Sequence, residues 1–266
     1  MKPGDSQIGV GATRRLTLRV SVAALVRMLF DSPDDGRTML ALERTATVRD
    51  IDGRTQVVVR AKPFGGAARL VRPEALKRLI GDFHYDSERS RQEEDFRIQV
   101  RPSSWDRIKQ VCWQQFRGAA NAILDPGPER ELAEELQDNL NVRIAPGQYS
   151  LKPGRMVIQD FPGQTENVRA PGLPTVRVYY VFEVRVEDPA IVELMLVSSR
   201  RYSDDDLRGL AREDAQRGGR GRANAVLALG LEDLQETYRL SPERGPNGTF
   251  QVSGHQLEGT VLTVLQ

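Results

Sequence analysis

The alternation of apolar and polar residues predicts most of the elements of this chain before its chemistry is considered. Leu16 to Phe30 is rich in Leu, Val and Thr and reads as extended chain, in two short strands. Asp31-Ser-Pro-Asp-Asp-Gly36 is a run of turn formers, and Thr38 to Glu43 is again strand-like, so the two segments predict a hairpin (Ser21–Phe30 with Arg37–Arg44). After the Asp50-Ile-Asp-Gly53 turn, Gln56 to Ala61 predicts another strand. It runs into Lys62-Pro63-Phe64-Gly65-Gly66, where two glycines free the backbone for a close approach.

Beyond this point the period changes to that of helices. Pro73 to Ile80 predicts a short helix, with Pro73 in its first turn and Gly81 as its stop. The polar stretch Asp86 to Asp95 follows. Ser103 and Ser104 then introduce an amphipathic helix on which Trp105, Ile108, Cys112 and Phe116 recur at spacings of three and four. Asp125-Pro-Gly-Pro128 breaks the chain and opens a helix from about Glu129 to Leu140. Pro146, Pro153, Pro162, Pro171 and Pro174 predict a loop-rich region, in which Gly163 to Pro174 would border a pocket as a lid or simply connect two elements. Val176 to Val186 predicts a strand, and Asp188-Pro189 a helix start running to about Val197. Ser203-Asp-Asp-Asp206 predicts a further helix start, with Leu207 and Leu210 on the buried side. Ala225 to Leu229 reads as a strand, Leu231 to Leu240 as a helix, and Gly259 to Leu265 as an edge strand.

The first strands are joined by turns rather than helices, so the expected class is α/β in the loose α+β sense: a mixed sheet covered by helices. The expected organisation is a flexible N-terminus (1–15), a main domain (16–240) with a helical insertion at about 73–125, and a C-terminal extension (241–266).

Composition narrows the function classes. With 38 Lys+Arg against 37 Asp+Glu, the formal net charge of +1 lacks the basic excess of a dedicated nucleic-acid binder. The longest apolar run, Val20 to Phe30, is broken by Ser21 and Arg27, so no membrane span is expected. No apolar signal core follows the N-terminus. Cys112 is the only cysteine, which fits a reducing compartment, and a cytoplasmic location is expected. With only His84 and His255 besides, a metal site would lean on carboxylates and favour hard ions such as Mg²⁺ or Mn²⁺. Cys112 reads as a small buried hydrophobe on its helix stripe rather than a reactive thiol. His84 and His255 have no placed partner and read as incidental.

The most informative segment is Arg130-Glu131-Leu132-Ala133-Glu134-Glu135-Leu136. On a helix, Glu131, Glu134 and Glu135 share one side while Leu132, Leu136 and Leu140 form a neighbouring apolar stripe. Three close carboxylates repel. The positive end of the helix dipole, solvent, arginines or a divalent cation can relieve them. An ordinary Glu-rich surface helix would carry the same pattern.

These residues resemble the core of the Nudix box, Gly-x5-Glu-x7-Arg-Glu-U-x-Glu-Glu-x-Gly-U with U aliphatic. Arg130, Glu131, Leu132, Glu134 and Glu135 match it. The upstream Pro63-Phe64-Gly65-Gly66 is similar to the Pro-Gly-Gly that opens the box, and Val226 to Leu234 resembles the closing strand and helix start of such domains. The resemblance covers roughly residues 16 to 240. About 50 extra residues would stand inside the box, the first box glutamate has no assignable counterpart (Glu93, Glu94 and Glu129 are the candidates), and Gln137 replaces the second glycine.

The resemblance implies an α/β/α sandwich around a mixed sheet and the hydrolysis of a nucleoside diphosphate derivative with Mg²⁺ or Mn²⁺. It implies Glu131, Glu134, Glu135 and the Gly66 carbonyl as metal ligands, Glu134 and Glu135 as catalytic groups, and Arg130 as the orienting residue. Gly65 belongs to the substrate side. Arg217, Arg220 and Arg222, spaced among glycines, are candidates for gripping phosphates; otherwise that segment is a solvated connector. A catalytically impaired nucleotide-binding sensor and a protein-interaction domain are the alternatives. The expected partner is a nucleotide-derived small molecule, with a protein partner or a homodimer left open.

Overall fold

Leu18–Asp31 (β1) is a single 14-residue strand, and the sheet is built around it. The computed structural model describes residues 17–51, 53–164, 172–240 and 248–265. The expected flexible segment 1–15, with its glycines, most of the Gly163 to Pro174 loop and the start of the C-terminal extension lie outside them. β1 is apolar almost throughout because both its faces are covered, so no alternation marks it. Along one side it pairs in parallel with Pro174–Val186 (β10) from Arg19↔Thr175 to Leu29↔Arg185. Along the other it meets three antiparallel strands in turn: Arg97–Val100 (β7), Phe64–Ala67 (β4) and Thr38–Ile51 (β2).

β2 diverges from β1 beyond Ala41. Arg54–Lys62 (β3) then pairs with one side of it and Arg222–Gly230 (β11) with the other. The main path ends in the hairpin Thr249–Val252 (β12) and His255–Glu258 (β13) at one edge and Tyr149–Gln164 (β9) at the other. His84–Tyr85 (β6) pairs with β7, and Arg69–Leu70 (β5) forms a small ladder with Leu124–Asp125 (β8).

Helices cover both faces of this mixed sheet. On the face of Val20, Val22, Val26 and Met28 lie Pro73–Ile80 (α1), Trp105–Phe116 (α3), Pro128–Leu140 (α4) and Pro189–Arg201 (α5); the short Glu88–Gln92 (α2) leads into β7. On the other face lie Asp204–Gln216 (α6), Leu231–Leu240 (α7) and Thr260–Leu265 (α8). The expected α/β sandwich is therefore present. No helix among the described residues is long and apolar enough to cross a membrane.

Several expectations need correction. The proline-rich region is not mainly loop: β9 runs for 16 residues through Pro153 and Pro162. It is the outermost strand, where a residue without an N–H breaks no ladder, and its register shifts opposite Val181/Phe182 beside Gly154. The stretch from Thr260 is helix, not edge strand. It is buried all round from Val261 to Leu265, Thr263 included, so it carries no period that separates the two. On α6, Leu207 is buried but Leu210 is exposed, and Ala211 takes the inward position. Leu16–Phe30 yields one strand rather than two.

Candidate functional site

Two left-handed residues bound α4. Gly127, at φ 51, precedes Pro128 in the first turn; Asn141, at φ 54, closes the helix, and its N–H donates to the Gln137 carbonyl. Between them Leu132 and Leu136 insert into the core with Val26, Met28 and Phe64. That anchoring fixes the rotation of the helix and sends its three glutamates to different places.

Glu131 is buried against β4. A Cβ placed on Gly66 would lie 1.9 Å from Glu131 Oε2, so a side chain at 66 and this carboxylate cannot share the space. The double-glycine strand β4 and the acidic helix, about 60 residues apart, do come into contact. Gly65 has another role. At φ +135, its own Cβ would fall 2.1 Å from the Ala24 carbonyl oxygen, so it permits the pairing of β4 with β1 and is not turned toward the glutamate. Arg130 Nη1 stands 2.6 Å from Glu131 Oε1 and 3.6 Å from Glu134 Oε2. Burial raises the proton affinity of Glu131, with further contributions from Glu134 and Asp95 and opposition from Arg130.

Glu134 projects outward, with 59% of its side chain exposed. Glu135 turns to a third environment, beside Lys62, Glu43 and Arg222. Burial, helped by repulsion from Glu43 and Glu131 and opposed by Lys62 and Arg222, pushes it up to about 7. The three carboxylates are thus not gathered at one point. Among the described residues no group of three His, Cys, Asp or Glu is arranged to hold a metal ion.

Glu43 is fully buried and was not singled out from the sequence. Lys62 Nζ lies 2.6 Å from its Oε2, and Arg222 donates to its Oε1. Burial opposes its charge, yet Lys62 and Arg222 hold it below the usual carboxylate range, while Glu43, Glu135 and Glu258 raise Lys62. The strand register explains the cluster. Directly opposed residues of an antiparallel pair share a face, so Glu43 stands beside Lys62, Thr45 beside Arg60 and Asn224, and Thr47 beside Val58 and Arg222. This is a polar face of β2, β3 and β11, continuing the face on which α4 packs. It floors a cleft of about 260 Å³ lined by Thr45, Thr47, Arg49, Val58, Arg60, Lys62, Arg222 and Glu258.

Arg222 therefore reaches the candidate site, whereas Arg217 pairs with Glu213 in solvent and Arg220 is exposed away from the cleft. Asn224 accepts from Arg222 Nε at 2.9 Å. His84 is exposed, and His255 lies on the opposite side of the sheet, 3.8 Å from Asp204. Cys112 is buried, as its stripe predicts. Besides Glu43 and Lys62, sequence reasoning missed Asp95, Arg49, Arg60 and Glu258. The alternation Glu43, Thr45, Thr47, Arg49 marks a polar strand face, but only the register shows what it faces. Comparisons with protein-family models, with curated proteins and with solved structures gave no match.

Proposed function

We propose that this chain is a Nudix-like hydrolase that cleaves the pyrophosphate bond of a nucleoside diphosphate derivative with Mg²⁺ or Mn²⁺. The observation that supports this best is the seating of Glu131 on Gly66, a contact the box resemblance requires and that nothing in the local sequence around either residue would bring about. The donor set suits a hard ion, since it offers carboxylate and carbonyl oxygens without Cys or His. Mg²⁺ is commonly held by one or two carboxylates together with substrate phosphates and water, so a cage of three protein carboxylates is not needed. Glu131, Glu134 and the Gly66 carbonyl are the groups that would hold it. Such an ion, when bound, supplies charge neutralisation at the phosphoryl oxygens.

The remaining roles fall to side chains of the chain itself. Arg130 orients Glu131 through a charge-assisted contact. Glu135, with a proton affinity near neutrality, is suited to accept a proton from water as that water attacks phosphorus; the P–O bond to the leaving phosphate breaks with its electron pair on oxygen. Lys62 and Arg222 bring positive charge to the same place and favour an anionic substrate.

The test is turnover of a panel of nucleoside diphosphate derivatives with Mg²⁺ or Mn²⁺. The expected result is hydrolysis by the wild-type chain and a loss of about 100-fold or more in kcat for Glu135→Gln. Equal rates in the variant would remove Glu135 from the reaction. A second reading, a nucleotide-binding domain without turnover, is favoured by the divergence of the three carboxylates and by Gln137 in place of the box glycine. Binding of a panel member without its hydrolysis would establish it over the first.

A further inference from the structure

The cleft over the polar face of β2, β3 and β11 gathers four cationic side chains outside the contact of Glu131 with Gly66. Arg49, Arg60, Lys62 and Arg222 line it against the single carboxylate Glu258, and the buried Glu43 beneath offsets one further charge. Thr45 and Thr47 stand in the same row of β2 and add hydroxyl groups. Guanidinium groups, an ammonium and hydroxyls together form a set suited to phosphate oxygens. Glu258 does not belong to such a set. Glu258 supports the charge of Lys62, and its acceptor-only carboxylate, which repels a phosphate, offers the cleft a partner for hydroxyl donors. At about 260 Å³ the cleft is smaller than the usual range of pockets for drug-sized ligands, roughly 300–1,000 Å³, and suits a compact polar group.

We propose that this cleft binds a phosphorylated sugar, with the phosphate on Arg49, Arg60 and Arg222 and the sugar hydroxyls on Glu258. The cleft shares Lys62 and Arg222 with the surroundings of Glu135, so a ligand that fills it lies against two neighbours of that carboxylate. That the phosphorylated sugar is one end of the substrate rests on the hydrolase reading; the recognition itself rests on the cleft alone. C-terminal residues thereby enter the site, because Glu258 arrives on β13, which joins the sheet through Leu257↔Ala61 of β3.

Calorimetric titration of the full chain without divalent metal tests this, with ribose 5-phosphate, inorganic phosphate and ribose as probes. Ribose 5-phosphate is expected to bind at least tenfold more tightly than inorganic phosphate, and ribose alone not measurably. Arg49→Ala should weaken ribose 5-phosphate at least tenfold with unchanged circular dichroism. Glu258→Gln should bring its affinity down to that of phosphate. Equal affinity for phosphate and ribose 5-phosphate would overturn the proposal, as would binding unchanged in Arg49→Ala or no binding by the folded wild-type chain. If these titrations succeed and every nucleoside diphosphate derivative stays intact, the cleft stands and the hydrolase reading falls. Hydrolysis without ribose 5-phosphate binding has the opposite meaning.

Discussion

A methyl group added at Gly66 would meet the end of the Glu131 side chain, whereas one added at Gly65 would meet the backbone of Ala24. The first neighbour can rotate and the second cannot. Gly66→Ala is therefore expected to cost little stability but to displace the carboxylate, lowering turnover with a melting temperature within a few degrees of wild type. Gly65→Ala adds a left-handed backbone at φ +135 to a backbone collision and should cost about 3 kcal/mol or more, read from denaturant unfolding. Glu135 makes an opposite prediction for stability. Its folded-state proton affinity, near 7, lies above its ordinary value of 4.5, so its ionisation opposes folding increasingly as pH rises from 4.5 to 7. Glu135→Gln should raise the melting temperature of the metal-free protein by a few degrees at pH 8 and leave it nearly unchanged at pH 4. Cys112 is buried, and burial pushes its thiol up to about 12, so the native protein should be inert to a thiol reagent at pH 8 and react on unfolding. The acidic heptapeptide and its apolar stripe were legible in the sequence. The divergence of the three glutamates was not, because it depends on which neighbours each carboxylate meets beyond the helix.

Among the elements, those with a strong period or a clear stop were readable. α1 has Pro73 and Gly81 at its ends, α3 its stripe of Trp105, Ile108 and Cys112, and α4 its leucines between Pro128 and Asn141. Strands whose surroundings set their character were not. The prolines of β9 argue against a strand unless it lies at an edge, and edge position is a property of the whole sheet. In α8, Val261, Leu262, Val264 and Leu265 look strand-like because β-branched residues dominate, yet they pack with Leu25, Tyr179 and Leu234 as a buried turn-and-a-half of helix. Arg155 Nη2 donates to the Thr263 carbonyl at 2.7 Å and ties this helix to β9. The C-terminal hairpin supplies Phe250, Val252 and Leu257 to the same core. Removing residues 249–266 should therefore lower the melting temperature by more than 10 °C or abolish cooperative unfolding, since several fully buried side chains are lost at about 1.5–3 kcal/mol each. A truncated chain that melted like the full one would show that this segment adds nothing to the core.

At the scale of the whole molecule, the sheet determines which distant residues become neighbours. β1 is paired along both sides, and β2 passes from β1 to lie between β3 and β11, which places Glu43, Lys62 and Arg222 in one group. β4 then lays Gly66 beneath α4, and β13 brings Glu258 to the cleft. A mixed sheet covered by helices was expected from hairpin-like connections early in the chain and helices later, and the arrangement with helices on both faces from the box resemblance. Its strand order was not, because apolar strands such as β1 and β10 carry no mark of their partners. The central claim is that the glycines of β4 and the acidic helix act as one unit, and a double-mutant cycle on kcat/KM tests it most directly. Wild type, Gly66→Ala, Glu131→Gln and the double variant would be assayed on the best nucleoside diphosphate derivative with Mg²⁺. The account predicts that the double variant is no slower than Glu131→Gln alone, since the glycine acts through that carboxylate. Additive losses from the two substitutions, or a wild-type chain that hydrolyses none of the panel, would contradict it.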